Sequence, residues 1–175
     1  GFAFMVVEIA LLQRFTRFLW HPSYSLLGIL FSLLLSTAGG AYLSSRFPLD
    51  KLSKVMLVSG AGLAVLACIA GFAYPPLLSS LIGLSITARI LLTVVLVAPS
   101  GVLMGAMIPS VIRRLASTNA ELVPWGWGIN GATSVVGTVL ATVVAIYFGF
   151  TVTFVVGAAM YLAAGVLGYV VGRST

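Results

Sequence analysis

The sequence predicts an all-α fold, a polytopic transmembrane bundle of about six helices. Hydrophobic residues make up 61% of the 175 residues and charged residues only 7%, whereas soluble domains carry roughly 25% charged residues. The mean hydropathy is +1.19, so the folded chain must present its surface to lipid rather than to water. The composition therefore excludes a soluble globular protein.

Apolar runs interrupted by prolines and polar residues define the elements in order. His21-Pro22 ends the first run, because proline disfavours helical geometry in the residue before it, and Tyr74-Pro75-Pro76 ends the third run in the same way. Residues 77–85 are too few to cross a bilayer and predict a surface or re-entrant turn. The predicted spans of this single domain are residues 2–19, 23–45, 55–73, 86–112, 125–148 and 150–172.

Prolines and small residues predict the shape and packing of the later spans. Pro109 predicts a kink inside the fourth span, and Pro124 precedes the fifth. A tight turn at Gly149 makes the fifth and sixth spans an antiparallel hairpin. Helices in lipid approach closely through small residues at four-residue spacing. We therefore expect the small faces of this hairpin to pack together or against a neighbouring helix; they are Thr133, Gly137, Ala141 and Ala145 on the fifth span and Ala164, Gly168 and Gly172 on the sixth.

The net charge of +6 is interpreted as membrane topology, because the bases lie singly or in pairs between apolar runs and not on one polar face as in nucleic-acid-binding proteins. Two predicted polar loops, 46–54 and 113–121, and the C-terminal tail share one face and hold six bases. The other face receives at most Arg14, Arg17 and Arg89. The positive-inside rule then predicts a cytoplasmic C-terminus.

The chain contains few residues of the types that catalyse reactions or bind cofactors. It has one His and one Cys, so we expect no metal site and no catalytic triad. Residues 126–131 fit the G-x-G-x-x-G pattern, but neither a preceding strand nor a later acid accompanies them. The sequence predicts no catalytic residue and no cofactor in this segment.

Glu8 is the charge that topology leaves unexplained. A charged acid at the centre of a membrane helix costs roughly 2.5–3.5 kcal/mol, so it normally faces the bundle interior, a partner or water. One interpretation is a substrate-cation or proton site, with Gln13 and Arg14 nearby in sequence. The alternatives are a protonated acid bonded to a neighbouring helix and an acid that lies near one membrane boundary because the fragment starts there. Since neither Gln13 nor Arg14 lies four residues from Glu8, any partner must come from another helix.

A second polar cluster surrounds the start of the fifth span. Trp125 and Trp127 flank Gly126, and Asn130 follows within one turn. Tryptophans at a helix entrance are typical of an interfacial belt, and an asparagine often forms interhelical hydrogen bonds. The functional alternative is that Trp127 and Asn130 contact a substrate.

The residues at the start of the chain lack an initiator methionine, a basic region and a cleavage site. We therefore expect the sequence to be a fragment of a longer chain.

Several strings resemble one family. E-x-x-x-x-Q-R over Glu8–Arg14, the pair His21-Pro22, residues 105–109 and P-W-x-W-x-x-N-G from Pro124 are similar to the C-terminal membrane domain of bacterial proteins that fuse transporter-like helices to a spermidine synthase-like domain. The resemblance covers nearly the whole chain in order. One departure is Met107-Ile108 before Pro109, where the family more often has Phe before the proline.

The resemblance implies a bacterial inner-membrane protein with an upstream nucleotide-binding domain of the aminopropyltransferase or methyltransferase kind. It implies that this segment anchors that domain and binds or moves a cationic or lipidic substrate such as a polyamine. The residue patterns above and the resemblance together give two groups of site residues. The substrate-binding candidates are Glu8, Gln13, Arg14, Trp127 and Asn130. The structural candidates are His21, Pro22, Pro109, Pro124, Trp125 and Gly137.

A wider resemblance is to half of a major facilitator transporter, which would need a second helix bundle as its partner. Residues 40–46 lie where that superfamily has a glycine, an acid and a basic loop, but Ser44 and Ser45 stand in place of the acid. The remaining alternative is a purely structural anchor whose partner is the lipid bilayer.

Overall fold

The computed structural model describes residues 1–174 and is 92% helical, with no strand in that part of the chain. The predicted all-α class is therefore confirmed. The helices are α1 Phe2–Leu19, α2 Pro22–Ser45, α3 Leu52–Phe72, α4 Tyr74–Ser80, α5 Ile86–Thr118 and α6 Val123–Ser174, with 3-10 turns at Leu49–Lys51 and Ala120–Leu122.

Four helical stretches are long and apolar enough to cross a membrane: Pro22–Ser45, Leu49–Phe72, Ile86–Thr118 and Ala120–Gly172. α1 is not one of them, because its 18 residues include Glu8, Arg14 and Arg17. The chain is a membrane protein by the composition and length of these helices.

α6 reverses direction at Gly149, whose φ of 81° and ψ of 166° are not helical. A straight helix of 52 residues would extend about 80 Å, more than twice the roughly 30 Å of the hydrocarbon core of a bilayer. The two arms instead fold back, since Ser134 before the break and Ala164 after it line the same cavity. The predicted hairpin of the last two helices thus has its turn at Gly149.

Close packing between helices depends on small residues. A Cβ built on Gly40 of α2 would lie 1.9 Å from the Val102 carbonyl oxygen of α5, and one on Gly105 would lie 2.1 Å from the Thr37 carbonyl oxygen. The first arm of α6 packs in the same way on α1, because Gly137 lies against the Phe2 backbone. The small face of the first arm therefore contacts α1, and the small face of the second arm contacts α3. Small residues permit such close approach in lipid.

Three predicted loop regions contain more helix than the sequence indicated. α5 continues to Thr118, so residues 113–118 of the predicted loop 113–121 are helical. Arginine, leucine and alanine are good helix formers, and the helix ends only at the extended Asn119. α3 likewise begins at Leu52 rather than after residue 54, and α4 extends the helical region into residues 77–80. Polarity alone did not end these helices.

The bundle has two ends, which we call the near end and the far end. The near end holds Gly1, the α2–α3 and α5–α6 connections and the close of α6. Arg113 joins these elements by donating to the carbonyls of Ser44 at 2.7 Å and Phe47 at 3.0 Å, and Arg114 donates to the Gly172 carbonyl. The far end holds the α1–α2 connection, α4 and Gly149.

Candidate functional site

A cavity of about 630 Å³ lies in the near-end half of the bundle, between α1, α2, α5 and both arms of α6. This volume is within the range of about 300–1,000 Å³ typical of small-molecule sites. Most of the wall is apolar, formed by side chains such as Phe4, Met5, Leu34, Met104 and Ile108. Four polar side chains interrupt it, namely Thr37, Asn130, Ser134 and Tyr161.

Residues with little or no side chain leave this space open. Alanines and one glycine from four elements form part of the wall: Ala3, Ala38, Ala41, Gly105 and Ala164. Pro109 also lines the cavity inside α5. Because proline has no backbone N–H, it cannot donate the helical hydrogen bond to the Gly105 carbonyl. The cavity wall therefore includes a backbone acceptor that lacks its helical donor.

Asn130 brings an unpartnered acceptor to the wall. Its side-chain Oδ1 is buried and has no hydrogen-bond partner, while its backbone carbonyl accepts a hydrogen bond from the Ser134 hydroxyl at 2.8 Å. A buried acceptor without a donor costs about 1–3 kcal/mol. Because the oxygen is sealed from the cavity, a ligand donor would reach it only after the Asn130 side chain turned towards the cavity.

Glu8 lies beneath the same cavity. Its side chain is only 8% exposed, and Phe4 and Met5, one helical turn earlier, line the cavity. Tyr161, which also lines it, is within electrostatic range of the Glu8 carboxyl group. No described cation pairs with Glu8 and no described group donates a hydrogen bond to it, so its carboxyl group has no countercharge among the described residues.

The two tryptophans of the second cluster differ in their surroundings. Trp127 lines the cavity with about half of its side chain exposed, whereas Trp125 is 70% exposed and does not line it. Both belong to the first turns of α6, directly after Pro124. Trp127 is therefore part of the cavity wall, whereas Trp125 faces lipid or the interface.

Gln13 and Arg14 are not part of the cavity. Gln13 is exposed, and Arg14 lies towards the far end, where its guanidinium donates to the Gly71 carbonyl at 3.4 Å and to the Thr151 hydroxyl at 3.3 Å. The structure thus brings Glu8, Trp127 and Asn130 to one cavity and places Arg14 elsewhere.

The candidate structural residues occupy helix ends and contacts. His21 immediately precedes α2 and its ring packs edge-on against Tyr24, with centroids 5.6 Å apart, and Pro22 is the first residue of that helix. Proline fits this position because its missing N–H would have no helical partner there. A Cβ on Gly137 would lie 2.9 Å from the Phe2 carbonyl oxygen.

Sequence reasoning missed Tyr161, which is 5% exposed and joins the cavity wall to Glu8. A tyrosine in an otherwise apolar membrane helix was the available signal, because a buried phenol usually finds a polar neighbour. Thr37 was missed too, because it is one of several hydroxyl residues near the end of α2 and no local pattern distinguishes it from the others.

No three His, Cys, Asp or Glu side chains lie together among residues 1–174, so that part of the chain offers no cluster for a metal ion. Comparison with known proteins adds no assignment: no family model, curated protein or solved structure matches the chain.

Proposed function

We propose that the chain is the membrane domain of a larger protein and that its near-end cavity binds a lipophilic cation, meaning an apolar molecule that carries an ammonium-like group. The observation that carries this proposal is the buried Glu8, which has no described countercation and lies one helical turn from the wall of a mainly apolar cavity. The carboxylate would attract the charged group of the ligand, and the apolar wall would bury the rest of the molecule.

Charge favours a cation over an anion in this cavity. The side chains that line it include no Lys, Arg or His, and the nearest ionisable acid, Glu8, lies one helical turn below the wall. Opposite charges attract strongly where water is excluded. A carboxylate without a described countercation therefore supports the binding of a positively charged group beside Tyr161.

The sequence resemblance supports the wider part of the proposal. We propose that this domain anchors an upstream nucleotide-binding domain in the bacterial inner membrane, with the C-terminus in the cytoplasm, and that a polyamine or polyamine-like molecule is the cation it binds or moves. Under this proposal the cavity opens from the cytoplasmic half of the membrane, where the near end would lie.

A matched pair of probes tests the cavity. Tetraphenylphosphonium and tetraphenylborate have the same shape and opposite charge, and their binding to the purified protein in detergent can be measured by equilibrium dialysis. We expect the cation to bind more tightly than the anion. We expect Glu8→Gln to weaken cation binding at least ~10-fold, which corresponds to about 1.4 kcal/mol, and to leave anion binding unchanged.

Two further variants distinguish the effect of losing a negative charge from the effect of losing the cavity space. Glu121→Gln removes an exposed acid at the α5–α6 turn and should leave both affinities unchanged. Ala38→Trp should fill the cavity and abolish binding of both probes. Equal affinities of the two probes, or unchanged cation binding in Glu8→Gln, would refute the cation site; binding of neither probe would favour the structural anchor. Spermidine in competition with the cation tests the polyamine class.

A further inference from the structure

We infer that the far end of the bundle holds a second binding site, for a phosphate-bearing anion, between α1 and α4. The site is a cavity of about 220 Å³ lined by Arg14 and Arg17 together with Phe18, Pro75, Leu78 and Ser79. It lies on the opposite side of the membrane domain from the cavity of the proposed function and does not depend on it.

The far end carries positive charge without a compensating acid. The sequence contains three acids, Glu8, Asp50 and Glu121, and the last two lie in the near-end connections. Glu8 lies two turns before Arg14 along α1. Arg14, Arg17 and Arg89 are at the far end and form no described ion pair, so an anionic ligand would meet uncompensated positive charge there.

Arg89 is already engaged by the protein. Its guanidinium donates to the carbonyls of Leu84 at 2.9 Å and Phe18 at 3.2 Å and also to that of Ile82. These bonds fix the start of α5 against the end of α1. Arg89 therefore contributes charge to the far end but few free donors.

Arg14 and Arg17 retain donors that the protein does not use. Both hydrogen bonds from the Arg14 guanidinium come from its Nη2, and its Nη1 has no hydrogen-bond partner among the described residues. Arg17 is exposed and stacks on the Phe150 ring at 5.4 Å, and among the described residues no hydrogen bond from its guanidinium is present. Arg14 and Arg17 are three residues apart, so they lie on neighbouring positions of one helix face.

Phosphate is the anion that this arrangement fits best. A planar guanidinium binds phosphate oxygens through paired N–H donors, and two such groups on one helix face can bind the same group. The apolar wall of Phe18, Pro75 and Leu78 would accommodate the glycerol part of a lipid. A lipid headgroup and free inorganic phosphate share this chemistry, and the experiment separates them.

Thermal unfolding of the purified protein in detergent tests the site, because a ligand that binds only the folded state raises the midpoint, and the rise grows with the logarithm of the ligand concentration relative to its Kd. The three additives are sodium phosphate, phosphatidylglycerol in mixed micelles and diacylglycerol, which lacks the phosphate. We expect the unfolding temperature to rise with at least one of the first two and not with diacylglycerol. A rise with phosphatidylglycerol alone assigns a lipid headgroup; a rise with sodium phosphate as well assigns the phosphate group itself.

Two variants and one control complete the test. Arg17→Gln removes an exposed guanidinium and should abolish the rise, and Ser79→Trp should abolish it by filling the cavity while both arginines remain. Arg46→Gln, an exposed arginine at the near end that stacks on Tyr42, should retain it. The site is refuted if no phosphate additive raises the midpoint, or if Arg17→Gln and Ser79→Trp both keep the full rise.

Discussion

Gly60 of α3 and Gly165 of α6 pack backbone against backbone, and a Cβ on Gly60 would lie 2.8 Å from the Gly165 Cα and 2.5 Å from the Tyr161 carbonyl oxygen. This contact holds the second arm of α6 against α3. It also fixes the position of Tyr161, which lines the near-end cavity.

Gly60→Ala should destabilise the protein, because the new methyl group meets backbone atoms that no rotamer change can move. Overpacking of this kind typically costs about 1–3 kcal/mol, which outweighs the gain of roughly 0.5–1 kcal/mol that alanine brings to a helix. Unfolding in increasing SDS measures the effect. Gly39→Ala is the control, since nothing lies within 4 Å of its Cβ position; equal stability of the two variants would contradict the contact.

Gly149→Ala should also destabilise the protein, but through the backbone rather than by a clash. Nothing lies within 4 Å of a Cβ at this position, yet its φ of 81° and ψ of 166° belong to a region that almost only glycine adopts. The strain is about 1–3 kcal/mol. The same SDS titration checks this, with Gly131→Ala as an unhindered helical control; a variant as stable as that control would show that the hairpin does not need this conformation.

Much of the fold follows from the sequence because apolar length and proline determine where a membrane helix can begin and end. Pro22 marks the start of α2, and Gly149 marks the reversal of α6. The C-terminal end of α5 could not be derived from polarity. Arg113 and Arg114 are good helix formers, and their guanidinium groups reach backbone carbonyls at the α2–α3 connection.

The candidate site was only partly predictable for a different reason. Glu8, Trp127 and Asn130 are unusual residues for a membrane helix, so composition alone singles them out. Arg14 follows Glu8 by six residues, which separates them by about 9 Å along the helix axis and turns them to different faces. The place of Tyr161 depends on how the arms of α6 pack, which no local pattern encodes.

Thr151 connects the end of α3 to α1, and its hydroxyl should contribute to stability. It donates to the Gly71 carbonyl at 3.2 Å and accepts a hydrogen bond from Arg14 at 3.3 Å. Thr151→Val retains the shape and removes both bonds, so we expect a loss of about 1–3 kcal/mol in the free energy of unfolding. Thr142→Val is the matched control, because that exposed hydroxyl bonds only the Thr138 carbonyl of its own helix. A similar loss in both variants would mean that the Arg14 contact adds nothing.

The orientation of the bundle in the membrane can be decided by labelling single cysteines. The near end gathers Arg46, Lys51, Arg113 and Arg114, so the positive-inside rule predicts that it faces the cytoplasm. In a Cys68→Ala background, we expect Ser79→Cys at the far end to react with a membrane-impermeant maleimide in intact cells. Lys51→Cys at the near end should react only after the cells are permeabilised. Both positions are exposed in the structure, so permeabilised cells provide the control for accessibility. Labelling of Lys51→Cys in intact cells would reverse the orientation and place the cation cavity in the outer half of the membrane.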